Sequence, residues 1–171
     1  AHFQSPVIGK DQDRDKFDRI QAFVRHLLNL PQANIEISHA DTSLIINNNG
    51  LRLPIASYGT GAHEVIALVA AVLSIENSVC CIEEPEIHLH PRLQREFLAF
   101  LIGETSNHYV ITSHSPTLIN SFLDHQDVQV VHLQQGDDGV FGIPVKSAAD
   151  SYAIVQDLGL RPSDLLQANG V

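Results

Sequence analysis

The sequence contains no methionine and no tryptophan, and it has only two cysteines among its 171 residues. These cysteines, Cys80 and Cys81, are neighbours, and neighbouring residues on a strand point to opposite faces, so we expect no disulfide framework. Sparse, unpaired cysteine is typical of a reducing, cytoplasmic setting. Because an initiator methionine is missing, we expect the chain to be processed or to be a piece of a longer protein.

Basic residues are also scarce, with 10 Lys and Arg against 20 Asp and Glu, for a formal net charge of −10. This balance argues against broad, charge-driven nucleic-acid binding by this chain alone. No apolar run approaches the roughly 20 residues that a membrane helix needs, so we expect no membrane partner. An apolar fraction of 44% in 171 residues suits an ordinary globular domain with its own core.

Residues 1–50 read as a helix followed by short strands. Apolar residues recur at helical spacing from about Arg14 to Leu30, and Pro31 ends the pattern. The stretches "NIEIS" (34–38) and "SLIIN" (43–47) alternate as strands do, and "NNNG" supplies a turn before "LRLPIA". This region is therefore predicted to hold a small antiparallel element.

Residues 51–171 alternate between apolar strands and helices. The strands are "SVCCIEE", "HYVITSHS", and a pair, "DVQVVHLQQ" and "VFGIPV", around the turn "GDDG". The helices begin near Thr60, Pro91 and Ser115, and two closing helices are expected in "SAADSYAIVQDLG" and "RPSDLLQA". The order strand–helix–strand–helix–strand after residue 77 predicts an α/β layer architecture with parallel central strands.

A glycine-rich stretch, "SYGTGAHE" (57–64), leads into the first of these helices. Gly59 and Gly61 let backbone amides approach a ligand closely, and a helix N-terminus carries a partial positive charge. Together these features suit a phosphate group. The alternative is a glycine-rich loop that simply turns into a helix.

The stretch "CCIEEPEIHLHP" (80–91) places two adjacent carboxylates at the end of an apolar strand. One acid at this position can hold Mg²⁺, directly or through water, and a second can polarise an attacking water. Glu83 and Glu84 are placed for these two tasks, since adjacent strand residues point to opposite faces. The alternative is a solvated turn after a strand.

A third motif, "VITSHSP", places His114 at the exit of another buried strand, between small hydroxyl side chains. An imidazole there can reach a phosphate or a water molecule. The alternative is a surface histidine near the start of a helix.

The three motifs, in this order, resemble the C-terminal half of an ABC/AAA-type ATPase head, in particular the OLD (overcoming lysogenization defect) group, which is related to RecF and SMC heads. The likeness covers roughly residues 50–171, so we divide the chain at 50/51. It implies a P-loop NTPase-like subdomain with a mostly parallel central sheet flanked by helices. The tail "LGLRPSDLLQANGV" (158–171) resembles the segment that joins such ATPases to a Toprim nuclease.

The resemblance implies roles around ATP and Mg²⁺. Ser57 and Gly59 would contact the γ-phosphate of ATP that a second subunit binds. Glu83 would match the Mg²⁺-linked Walker B acid, although that acid is more often Asp. Glu84 would match the catalytic glutamate, and His114 the histidine that senses the γ-phosphate.

The resemblance also implies partners. Glu86, His88 and His90 would lie in the D-loop, which crosses the interface of a head-to-tail homodimer. The motif G-x-x-x-x-G-K-[ST] is missing, and Gly9-Lys10 lacks its upstream glycine. We therefore expect a C-terminal portion of an ATPase, inactive alone, completed by an N-terminal Walker A half. The intact protein would act on DNA through another domain, in repair or phage defence.

Two other functions fit the same residues. Glu84, Glu86, His88 and His90 could ligate zinc, because the two imidazoles of a His-x-His pair on an extended segment point the same way. Alternatively, the chain could be a non-catalytic module that uses this head only to dimerise.

Overall fold

The computed structural model describes residues 11–38, 43–123 and 125–146, together with residues 150, 154, 156, 157 and 159. The chain divides into two compact units, Ala1–Ile82 with Ile87–Val110, and Glu83–Glu86 with Ile111–Val171. The elements, in chain order, are α1 (Asp11–Leu28), β1 (Asn34–Ile37), β2 (Leu44–Asn48), β3 (Leu51–Pro54), a 3₁₀ helix (Ile55–Tyr58), α2 (Thr60–Leu73), β4 (Val79–Glu83), α3 (Pro91–Glu104), β5 (His108–Thr112), α4 (Pro116–Leu123), β6 (Val131–Gly136) and β7 (Gly139–Pro144).

Three helices supply most of the core of the first unit, because each presents an apolar stripe at helical spacing. Helix α2 contacts both α1 and α3. The rings of Phe23 on α1 and Phe100 on α3 meet edge to face, with centroids 5.0 Å apart. The fully buried side chains that fill this unit include Val24, Ile46, Val65, Ile66, Val69 and Phe97.

The first three strands form the small antiparallel element that the sequence predicts. Their order is β1-β2-β3, and Ile46 at the centre of β2 faces Ile35 on β1 and Leu53 on β3. Asn49 and Gly50 both have positive φ (52° and 88°), as a two-residue hairpin turn requires. The "NNNG" turn is therefore confirmed.

Strands β4 and β5 pair in a two-stranded sheet. At one end the N–H of His108 donates to the carbonyl of Ser78 (2.9 Å), and at the other the N–H of Glu84 donates to that of Thr112 (2.9 Å). Residue numbers increase in the same direction along both strands, so the pairing is parallel, as predicted. In the described part of the chain, β4 is covered on one face only.

Alternate residues of β4 show this partial burial: Cys80 is buried, whereas Val79 and Cys81 are exposed. A continuous apolar run such as "SVCCIEE" is typical of a strand buried on both faces, at the centre of a parallel sheet, and β4 is not buried in that way among the described residues. Burial on both faces requires layers on both sides of a sheet, and sequence pattern alone does not report whether the second layer is present.

The second unit contains α4 and the β6–β7 hairpin, with Leu118, Val145 and Ile154 buried. The hairpin confirms the strands expected around "GDDG". Residues 150, 154, 156 and 157 are helical, as expected for the first closing helix, whereas the helix predicted in "RPSDLLQA" lies outside the described residues. Among the described residues, no helix is long and apolar enough to cross a membrane.

Candidate functional site

Two acidic residues lie at the carboxyl end of β4. Glu83 is the last residue of the strand and is exposed, and Glu84 follows it. Glu84 has a φ of +43°, in the left-handed region that residues other than glycine rarely adopt. Its N–H still bonds to Thr112, so the acids lie beside the end of β5. Strained backbone of this kind concentrates at functional sites.

The imidazole of His114 lies beside Glu84. Its Nε2 is 3.6 Å from Oε1 of Glu84, and the two side chains are 72% and 38% exposed. Exposed pairs of this kind contribute little to stability, and both side chains are accessible to solvent. The parallel pairing of β4 and β5 brings the second and third motifs together, because both strands end at the same edge.

Glu86 contacts the same loop from another side. Its Oε1 accepts a hydrogen bond from the backbone N–H of His114, at 2.6 Å. The Oε2 atom of this carboxylate is buried and has no hydrogen-bond partner among the described residues. The sequence motif predicts a dimer-interface position for Glu86 and does not predict this contact. The local signal is a third acid, which Pro85 separates from Glu83 and Glu84.

The glycine-rich loop belongs to the first compact unit. Ser57 is exposed on the 3₁₀ helix, and Gly59 precedes α2 with φ +97° and ψ 154°. No side chain caps the start of α2, so its first amides are not satisfied by a cap. A side chain at Gly59 would meet open space. Glycine is therefore favoured here by the positive φ of the backbone and not by close packing.

Gly61 has a packing role that its motif does not indicate. A Cβ at this position would lie 2.9 Å from the backbone oxygen of His88 and 3.0 Å from the side chain of Leu93. The close packing of α2 against the segment before α3 therefore requires glycine here. The sequence predicts that Gly61 lets a ligand approach the backbone. It does not predict the packing role, because a tertiary contact has no signature in the local pattern.

The two histidines after the acids make separate local contacts. Nδ1 of His88 lies 3.2 Å from Oε1 of Glu64. Nδ1 of His90 accepts a hydrogen bond from the N–H of Arg92 (3.2 Å) and so caps α3. Within the described residues, no group of three or more His, Cys, Asp or Glu is arranged to hold a metal ion, which counts against the zinc alternative.

A magnesium ion needs fewer protein ligands than zinc. Mg²⁺ keeps several waters and is usually bound through one or two carboxylates together with substrate phosphates, rather than by a cage of protein ligands. The carboxylates of Glu83 and Glu84, solvent-accessible at a strand end, supply that kind of donor set. The interface roles predicted for Glu86, His88 and His90 stay predictions.

Comparison with known proteins places these motifs in context. A family model described as "AAA domain, putative AbiEii toxin, Type IV TA system" matches residues 4–120. No match was found among curated protein sequences.

Solved structures that are similar in fold include the following two. One comes from work described as "Structural biochemistry of ATP-driven dimerization and DNA stimulated activation of SMC ATPases"; it has a TM-score of 0.56 and 12% identity, over 86% of this chain and 95% of that one. The other, an Smc head bound to the C-winged helix domain of ScpA, has a TM-score of 0.50 and 13% identity, over 82% of this chain and 46% of that one. At these identities the likeness shows the fold, which confirms the predicted ABC-type, P-loop NTPase-like α/β architecture.

Proposed function

This chain belongs to the AAA-domain family whose model it matches, and from that membership we propose that it supplies the hydrolytic residues of an ATPase site. Mg²⁺-ATP would be the substrate. The proposal includes Ser57 and Gly59 as γ-phosphate contacts for a second subunit, Glu83 as the Mg²⁺-linked acid, and Glu84 and His114 as the catalytic pair. The OLD group remains a resemblance, because the family match does not reach that level.

The observation that carries the proposal is the approach of Glu84 Oε1 to His114 Nε2 at 3.6 Å, on strained backbone at the shared end of two parallel strands. Two motifs that are separate in sequence thus meet at one solvent-accessible place. In open parallel sheets, ligands bind at the carboxyl ends of the strands. Neither side chain is needed to fill the core, so both are available to a ligand.

Each residue can be given a chemical task. The carboxylate of Glu84 orients a water molecule for attack on the γ-phosphorus and takes up its proton as the bond to the β-phosphate breaks. The imidazole of His114 donates a hydrogen bond to a γ-phosphate oxygen. Glu83 is the residue that would hold Mg²⁺, which when bound would neutralise charge on the phosphate oxygens.

We further propose that two copies close head to tail around ATP, each using a phosphate-binding loop outside these 171 residues. The D-loop segment, with Glu86, His88 and His90, would lie near that interface. The solved head structure in the work on ATP-driven dimerisation supports the idea by fold. With a net charge of −10 in this chain, we propose that any action on DNA takes place through another domain, such as a Toprim nuclease.

The test is Glu84→Gln in the natural full-length protein. The amide keeps the size of the side chain but cannot take up a proton, so we expect the ATP hydrolysis rate to fall about 100-fold or more. ATP affinity should stay within about 3-fold, because the amide adds no charge that repels the nucleotide. Phosphate release and equilibrium binding of a fluorescent ATP analogue measure the two quantities.

Glu104→Gln is the matched control, since Glu104 is an exposed acid at the end of α3. It should hydrolyse ATP at the normal rate. A normal rate in the Glu84 variant would refute the catalytic assignment of Glu84, whereas a wild-type protein that does not hydrolyse ATP would favour the non-catalytic dimerisation module.

A further inference from the structure

We propose that Glu86 is a positioning residue, which holds the backbone of His114 so that its imidazole faces Glu84. This inference rests on the proposed function, because it assigns Glu86 to the same hydrolytic pair. It goes beyond that function in giving the third acid of the motif an intramolecular task.

The first argument is the contact itself. The N–H of His114 donates to Oε1 of Glu86 at 2.6 Å, which is short for a bond from an amide to a carboxylate. All three residues concerned, Glu84, Glu86 and His114, lie in the same compact unit. The bond therefore links the turn after β4 directly to the loop after β5.

The second argument is the cost of placing this carboxylate where it lies. Its Oε2 is buried without a hydrogen-bond partner in the described part of the chain. A buried, unsatisfied carboxylate oxygen is unfavourable, so a residue chosen only for stability would not be expected here. The remaining oxygen is committed to the histidine backbone.

The third argument is how the rest of the loop is held. Oγ of Ser115 accepts a bond from the N–H of Leu118 (3.3 Å), and Oγ of Ser113 accepts one from the N–H of Ser115 (3.0 Å). These bonds fix the start of α4. The amide of His114 is fixed by Glu86, which leaves the imidazole, 72% exposed, as the projecting group.

The test, in the full-length protein, distinguishes the effect of side-chain length at residue 86 from the effect of its negative charge. Glu86→Asp keeps the charge but shortens the side chain, so it should lose the bond and lower kcat about 10-fold, with KM changed less than 3-fold. Glu86→Gln loses the charge but keeps an acceptor oxygen at the same distance from the backbone, so it should keep most of the wild-type kcat. The reverse order, with Asp active and Gln inactive, would overturn the inference.

A second readout needs no nucleotide. Hydrogen–deuterium exchange at the single amide of His114 should be faster in Glu86→Asp than in the wild type and near normal in Glu86→Gln. Asp150→Ala is the matched control, because Asp150 accepts a backbone N–H bond from Lys146 in the same unit (2.9 Å). It should leave the exchange at His114 and kcat unchanged. Equal exchange at His114 in the wild type and both Glu86 variants would contradict the inference.

A double-mutant cycle distinguishes the two proposals. If Glu86 acts through His114, then adding Glu86→Asp to the His114→Ala variant should not lower kcat any further. If the two losses multiply instead, the positioning role fails while the catalytic role of His114 stands. If His114→Ala alone keeps the normal rate, the catalytic role of His114 fails, and the positioning role fails with it.

Discussion

At the scale of single residues, the site is marked by backbone strain. Glu84 has a φ of +43°, and His88, four residues later, has a φ of +62°. Left-handed backbone costs residues other than glycine or asparagine roughly 1 kcal/mol or more each. An acid kept in such a conformation indicates that its side chain serves something other than stability, and the nearby imidazole of His114 is consistent with that.

This strain leads to a prediction about Glu84. Glycine adopts positive φ without a steric penalty, so Glu84→Gly should be more stable than Glu84→Ala by about 1 kcal/mol, although neither variant should hydrolyse ATP. Thermal unfolding of the two variants, side by side, measures the difference. The usual order, with alanine the more stable, would show that the left-handed backbone at this position is not retained in solution.

At the scale of elements, Asn107 links a helix to a strand in the first unit. The amide nitrogen of Asn107 donates to the carbonyls of Val72 and Ile75, at and just beyond the end of α2 (3.0 Å each), and its oxygen accepts from the N–H of Ser78 (3.1 Å). The residue thus joins the carboxyl end of α2 to the start of β4. Nothing in the local pattern marks it, because all three partners are distant in sequence.

Asn107 therefore offers a test of how the helix is tied to the sheet. Asn107→Ala removes all three bonds and should destabilise the first unit by about 2 kcal/mol. Asn107→Asp keeps the acceptor for Ser78 but places a negative charge against the carboxyl end of α2, so it should be at least as damaging. Urea unfolding compares the two. A milder effect of Asp than of Ala would mean that the bond to Ser78 dominates.

At the scale of the whole molecule, the chain belongs to an AAA-domain family and shares its fold with SMC ATPase heads. Under the proposed function, the exposed Ser57 and the accessible Glu83 and Glu84 would act on nucleotide from two different copies of the chain. The net charge of −10 weighs against charge-driven DNA binding by this chain itself.

The assembly proposal predicts behaviour of the full-length Glu84→Gln protein. With Mg²⁺-ATP, closed pairs of heads should accumulate because hydrolysis no longer reopens them, and ATP favours the state that binds it best. Light scattering should show the mass doubling with ATP and not with ADP.

Ser57→Arg in the same background provides the control. Ser57 is exposed, so the fold should tolerate arginine, but the bulk should block contact with nucleotide on the opposite head. Dimers that form without nucleotide, and that persist in the Ser57 variant, would support the non-catalytic alternative.

The sequence by itself determined the local elements and the motifs they carry. Apolar periodicity and capping residues set the positions of α3 and the β2–β3 turn, because these depend on backbone preferences within a few residues. The apolar run also located Glu83 at the end of β4, with Glu84 directly after the strand rather than within it. Because these features are local, they can be predicted from the sequence without a structure.

Only the tertiary structure decided which groups meet. The bond from the His114 amide to Glu86, the packing role of Gly61 and the one-sided burial of β4 all depend on residues far apart in the chain. Such contacts are set by the packing of elements, which has no signature in the local pattern. That is the physical reason why the catalytic pair could be proposed from the sequence, whereas its support by Glu86 could not.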